Sequence, residues 1–169
     1  MAGLSYAAFH TQGSGAASMT AFAELVNAGI SRPGRYLGNE RGVEPRDWDA
    51  AQIHWALTYP EVYEVGASNL GHIILYSILN AQPRQLCDRA YLPAPDLAAK
   101  LRATQTPLFG VESRRPLSGF EILGFSLSYE LGATNVLEML DLIGLPLRAC
   151  ERGDAPLGTP GAMPLIFAG

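Results

Sequence analysis

Cysteine, histidine and clustered basic residues are all sparse in this sequence, and no apolar run is long. The two cysteines, Cys87 and Cys150, stand far apart with no Cys or His neighbour at ligand spacing, so neither a zinc site nor a cluster site has support. Both read as packing or incidental residues. His10, His54 and His72 are equally dispersed and read as surface or hydrogen-bonded core side chains rather than ligands or bases. A formal net charge of −4, with basic residues scattered apart from Arg114-Arg115, leaves no electrostatic footprint for nucleic acid. Nothing approaches the ~18 consecutive apolar residues of a membrane span, and the N-terminus has neither the basic start nor the apolar core of a secretory signal. The expectation is a cytoplasmic protein with no membrane or nucleic-acid partner. No GxGxxG, GxxxxGKS/T or GxSxG occurs, so dinucleotide, P-loop and hydrolase readings lack their motifs.

What is present is ordinary for one globular domain: 169 residues, 48% hydrophobic and 17% charged. The chain is organised around residues 53–80. Ile53, Trp55, Leu57 and Tyr59 alternate with only weakly polar residues, which suits a central strand covered on both faces, and Pro60 ends it. A loop from Pro60 to Ala67 follows. Ser68 is the expected cap of a helix whose buried stripe is Leu70, Ile73, Ile74, Ser77 and Ile78. Strand, loop and helix make the first half of a βαβ unit, and the loop lies where open α/β sheets bind ligands.

Residues 1–18, rich in Ala, Gly and Ser, are expected to be a disordered leader. Residues 19–50 read as a helix capped by Thr20, with Phe22, Leu25 and Val26 on one face, followed by an extended arm. From 51 to 169 the pattern is α/β. Arg89 to Leu92 read as a weak strand, and Pro95 starts a helix that Pro107 closes. Leu108 to Val111 form a short apolar run with strand character, and Glu121 to Ser128 a buried strand. Thr134 or Asn135 caps a last helix with its stripe at Val136, Met139, Leu140 and Ile143, stopped by Gly144. Arg148 to Ala162 is loop, and Pro164 to Gly169 begin another buried strand. A sheet of this kind ending on a strand without its covering helix suggests a fragment.

The ligand loops of such a sheet gather at its carboxyl edge: Pro60 to Gly71, Ser126 to Gly132, and the region of Gly169. The candidate binding residues there are Glu64, Ser68, Asn69, Gly71, Ser126, Ser128, Tyr129, Glu130 and Gly169. No catalytic or metal-ligating residue stands out among them, and fold alone does not choose a function.

Four blocks go further. They are GRYLGNE at Gly34 to Glu40, the run from Trp48 to Ala81, PLFGVESRRPL from Pro107 to Leu117, and GFSLSYELGATNVLEMLDLIGLPLRACERG from Gly124 to Gly153. In order and spacing they resemble the N-terminal region of a large radical SAM protein family that carries a cobalamin-binding-like domain ahead of its barrel. The resemblance covers residues 32 to 169. It implies a flavodoxin-like, Rossmann-like three-layer α/β fold with a mostly parallel sheet, cut after its fourth core strand. It also implies a barrel elsewhere in the whole protein, holding a 4Fe–4S cluster on CxxxCxxC with S-adenosylmethionine. That motif is absent here, so the chain is expected to be an accessory domain without activity of its own, its partner the missing radical SAM barrel of the same enzyme.

Cobalamin is the one cofactor the resemblance offers this domain. Domains that ligate cobalt from below use DxHxxG after the first strand; the matching loop here, Gly66-Ala67-Ser68-Asn69-Leu70-Gly71, offers only a carboxamide. Bound cobalamin would therefore be held by the loops after Tyr59, after Ser128 and at Gly169, with no lower ligand from the protein. The competing readings are a free-standing flavodoxin-like module for a small cofactor or nucleotide, and a non-catalytic interaction domain.

Overall fold

A computed structural model describes residues 22–40, 43, 46–159 and 162–169. The leader and the Thr20 cap lie outside the described residues. Four strands, β1 (Ile53–Tyr59), β2 (Gln85–Tyr91), β3 (Ile122–Phe125) and β4 (Leu165–Ala168), form a sheet in the order β2-β1-β3-β4. All three pairings are parallel. Helices α1 (Tyr63–Gly66) and α2 (Leu70–Ala81) follow β1, α3 (Pro95–Thr104) follows β2, and α4 (Ala133–Ile143) follows β3. This is the flavodoxin-like arrangement expected of strands separated by helical connections.

The main core lies where α3 and α4 pack on the sheet. Leu97, Leu101, Leu117, Leu123, Phe125, Met139 and Ile143 are essentially inaccessible there. The arm belongs to this core: Phe22, Leu25, Val26, Ile30 and Tyr36 are buried in it, and the Ala94 amide donates to the Tyr36 hydroxyl at 3.1 Å. Its one 3-10 turn, Pro33–Tyr36, is the only regular piece among its described residues beyond the helical turn at 22–25. His54 fits the reading of a hydrogen-bonded core residue, its ring between Glu121 Oε2 at 2.8 Å and the Trp48 carbonyl at 2.9 Å.

Several expectations are corrected. β2 is seven residues long and almost wholly buried, although Asp88 and Arg89 make it look like a poor strand. Leu108 to Val111 make only an isolated antiparallel bridge between Phe109 and Pro116. α4 has Gly132 at its N-cap with no side-chain cap; Thr134 donates to the Leu131 carbonyl, and the Asn135 amide reaches the Pro60 carbonyl at 2.8 Å. Tethering the loop after β1 is what Asn135 does instead of capping. β4 is an edge strand with Leu165 and Phe167 about half exposed, not a buried one.

The largest correction concerns α2. Leu70, Ile73, Ile74, Leu75 and Ile78 point to solvent, while His72, Tyr76 and Asn80, four residues apart, point inward. The cause lies in β2. The Cys87 backbone on that edge has no strand partner, and the Asn80 amide satisfies both its groups, accepting from Cys87 N at 3.0 Å and donating to Cys87 O at 2.9 Å. Tyr76 donates to Glu112, and His72 meets Ser126. Burying unsatisfied polar groups costs more than exposing the aliphatic ones, so the helix turns its polar side to the sheet.

Candidate functional site

Strand order places the reversal between β1 and β3, because the chain leaves β1 toward β2 and returns past it to β3. Ligand crevices of open α/β sheets form at this point, beyond the carboxyl ends of the strands. Tyr59 closes β1, and Ser126 and Ser128 follow β3. The Tyr59 hydroxyl lies 3.1 Å from Ser128 Oγ and accepts from the Asn69 amide at 3.2 Å. Asn69 Oδ1 accepts from the His72 backbone N–H at 3.0 Å, so Asn69, not Ser68, is the cap of α2. His72 Nδ1 lies 3.2 Å from Ser126 Oγ, and its ring stands edge-on to Tyr59 at 5.5 Å. One connected set of side chains thus spans both sides of the crevice. Replacing Asn69 with alanine should cost about 1 kcal/mol through the lost cap. Urea unfolding checks this, and an unchanged midpoint would refute the capping role.

The other expected residues divide. Tyr129 donates a short hydrogen bond to Glu61 at the mouth of the same crevice. Gly169 closes the rim beyond β4 through paired backbone bonds, its N–H donating to Phe125 O at 3.1 Å and its carbonyl accepting from Leu127 N at 2.9 Å. Gly71 lies in the first turn of α2, and Glu130 is exposed in the 3-10 turn Glu130–Gly132. Glu64 turns away, to Arg32 at 3.0 Å and Arg35 at 2.8 Å on the arm. Ser68 Oγ is used locally, donating to the carbonyls of Glu64 and Val65. Gly66 is required by packing: a Cβ there would stand 2.6 Å from the Tyr91 ring and 2.9 Å from Tyr59 Cβ.

Behind the rim lies a second polar cluster that sequence reasoning missed. Arg89 donates from Nε to Glu112 at 2.8 Å and from Nη1 to Glu40 at 2.6 Å, with its guanidinium over the Tyr76 ring at 4.6 Å. Tyr63 donates to the other oxygen of Glu40 at 2.6 Å. Asp88, fully buried, accepts from the backbone amides of Arg89, Glu112 and Ser113 and from Ser113 Oγ. Burial, and then the Asp88 charge, push the Glu112 carboxyl up to about 7. Burial, and then the Arg89 charge, push the His72 imidazole down to about 4, so it is neutral at neutral pH. Burial and the bond to Glu40 raise the Tyr63 phenol to about 12. Arg89 Nη2, Tyr91 Oη and His72 Nε2 are buried without partners among the described residues. The available signal was the opposite-charge pair Asp88-Arg89 inside an otherwise apolar stretch, a pattern that demands internal partners.

A shallow depression of about 240 Å³ lies at the other end of the molecule, between the C-termini of α3 and α4, lined by Leu101, Pro107, Leu142 and Ile143. It holds no part of either polar cluster.

Residues 71–169 match the family model described as radical SAM proteins, N-terminal. The chain belongs to this family. No curated protein and no solved structure matches it. The matched segment begins in the first turn of α2 and takes in β2, β3, β4 and the loop after β3. The radical SAM N-terminal region is an accessory part of enzymes that, in full length, use a 4Fe–4S cluster and S-adenosylmethionine. Residues here do not fit a cluster: Cys87 is buried, Cys150 is exposed and remote in sequence, and no group of three or more His, Cys, Asp or Glu among the described residues is placed to hold a metal. Nor do they fit a protein ligand to cobalt, because both ends of the Asn69 amide are engaged and the His72 ring is buried edge-on to Tyr59. Among the described residues, no helix is long and apolar enough to cross a membrane.

Proposed function

We propose that this radical SAM N-terminal region is a cytoplasmic accessory domain that holds a cofactor or substrate at its carboxyl rim and carries out no catalysis of its own. The observation that supports this most is the Tyr59, Asn69, Ser128, Ser126 and His72 network at the strand-order reversal. Hydroxyl and amide groups there face solvent at one end and rest on a neutral imidazole at the other. Such a surface orients polar groups of a ligand, and the imidazole beneath it is buried away from a bound molecule. The cobalamin reading rests on the family resemblance, with the corrin held by the loops after β1, after β3 and at Gly169 and no cobalt ligand from the protein.

Hydroxocobalamin titrated into the chain and followed by visible absorbance tests this directly. Saturable binding is expected, weakened at least tenfold in Tyr59→Phe combined with Ser128→Ala, two lost hydrogen bonds at about 1 kcal/mol each. The spectrum of the complex should be the same in His72→Gln. Binding that ignores the rim substitutions would remove the site from the proposal. Failure of both hydroxocobalamin and S-adenosylmethionine to bind at millimolar concentration would remove the cofactor role.

A further inference from the structure

The inverted helix α2 is the least explained feature of the molecule. Its sequence, LGHIILYSILNA, contains no charged residue. Leu70, Ile73, Ile74, Leu75 and Ile78 are 69, 38, 47, 48 and 52% exposed. α3 follows the usual rule in the same molecule, with Leu97, Ala98 and Leu101 inward and Lys100 and Arg102 outside. A helix that is apolar on its outer face and uncharged all round is one that something covers.

We infer that the outer face of α2 is the surface on which the iron–sulfur-bearing radical SAM domain of the same enzyme seats. The inference rests on the accessory-domain reading and adds to it the surface that does the docking. Three observations select this occupant. Family membership in an N-terminal region means that a catalytic domain accompanies it in the whole enzyme. The apolar face also runs into the candidate site: Leu70 directly follows Asn69, and Leu131, 80% exposed, lies on the opposite loop. A body seated on α2 therefore closes over the rim, which is where an accessory domain must present what it holds. Size and charge narrow the choice further. The five side chains expose on the order of 400–500 Å², short of the ~800 Å² per partner of a free-standing dimer but suited to domains already joined by a chain. Helices that lie on lipid surfaces carry Lys and Arg along their polar side, and α2 has none.

The test uses the separately purified, cluster-loaded radical SAM domain of the same enzyme, titrated into the 169-residue chain and followed by calorimetry and by amide hydrogen exchange. Complex formation should protect residues 70–78. Ile74→Glu combined with Ile78→Glu should weaken binding at least tenfold without lowering the melting temperature, while Lys100→Ala on α3 should leave the affinity unchanged. Equal affinity for wild type and double variant, or protection confined to other elements, would overturn the inference. So would failure of the wild-type chain to bind, or self-association of the chain that the double variant abolishes, which would assign the face to a second copy. Docking that survives while both hydroxocobalamin and S-adenosylmethionine fail to bind would sink the cofactor role of the rim and leave the docking face standing.

Discussion

Replacing Asp88 with alanine is expected to destabilise the domain by about 3–5 kcal/mol, a large share of the ~5–15 kcal/mol that holds a domain of this size together. The carboxylate accepts four hydrogen bonds, from the amides of Arg89 at 2.6 Å, Glu112 at 3.1 Å and Ser113 at 2.8 Å and from Ser113 Oγ at 2.6 Å. Removing it strands those donors in a site with no access for water, and each stranded donor costs about 1–3 kcal/mol. The turn at residues 110–113 also loses its Asp88 ties to β2 and keeps the backbone bond from Val111 N to Arg89 O at 2.9 Å and the ion pair of Glu112 with Arg89. Gly110 provides an internal control. A Cβ there would stand 2.1 Å from Asp88 Oδ2, and the fully buried Asp88 side chain has nowhere to go. Gly110→Ala should therefore be severe in the wild-type background and mild once Asp88 is alanine. Urea unfolding of the four proteins in this cycle measures the coupling, and costs that simply add would refute the contact.

The second large effect depends on pH and changes sign with the residue removed. The His72 imidazole is lowered from 6.5 to about 4, chiefly by burial. The unfolded chain thus binds a proton that the folded one refuses, and the stability His72 contributes is complete above about 6.5 and lost as the pH falls toward 4. The Glu112 carboxyl is raised from 4.5 to about 7, again chiefly by burial and then by Asp88, with Tyr76 and Arg89 opposing. Its contribution is complete below about 4.5 and lost as the pH rises toward 7. Each carries roughly 3 kcal/mol over its window. Between pH 4.5 and 6.5 the two slopes oppose, so the wild type should be nearly flat. Relative to wild type, Glu112→Gln should lose stability as the pH falls through this range, and His72→Gln should lose it as the pH rises. Melting temperatures across pH 4–7 decide the matter. Parallel profiles for all three proteins would show that neither group titrates as described.

Where the sequence was informative, it was so because local chemistry and tertiary demand agreed. β1 is flanked by Pro60 and alternates over a covered face; α3 has Pro95 at its start and three apolar residues on one side; α4 ends at Gly144, whose φ of 81° suits glycine. The carboxyl-edge position of the ligand loops followed from the alternation of strands and helices, and Asn69, Ser126 and Ser128 are brought together there. What was not legible came from partners distant in sequence. The stripe of α2 was periodic and apolar, yet the polar demands of Cys87 in β2 and of Glu112 in the turn beyond it, 7 and 36 residues away, decided which side faces inward. Tyr59 and His72 looked like strand and helix packing residues until the loop after β3 put hydroxyls beside them. Glu64 lay in the right loop, but Arg32 and Arg35 drew it to the arm.

Parallel pairing across long intervals also sets the order in which this chain can be made. β1 is the central strand, yet its second neighbour, β3, pairs with it only when Ile122 reaches Trp55, more than sixty residues later. During synthesis on a ribosome the first half of the sheet therefore waits with one side of β1 open, through the time needed to produce α3 and the turn that Asp88 anchors. Such non-local closure slows folding relative to helical domains of equal length. A circular permutant beginning near Ser118 separates Ile122 from Trp55 by about 100 residues in place of the native interval and should refold more slowly, whereas an unchanged rate would show that this pairing does not limit folding.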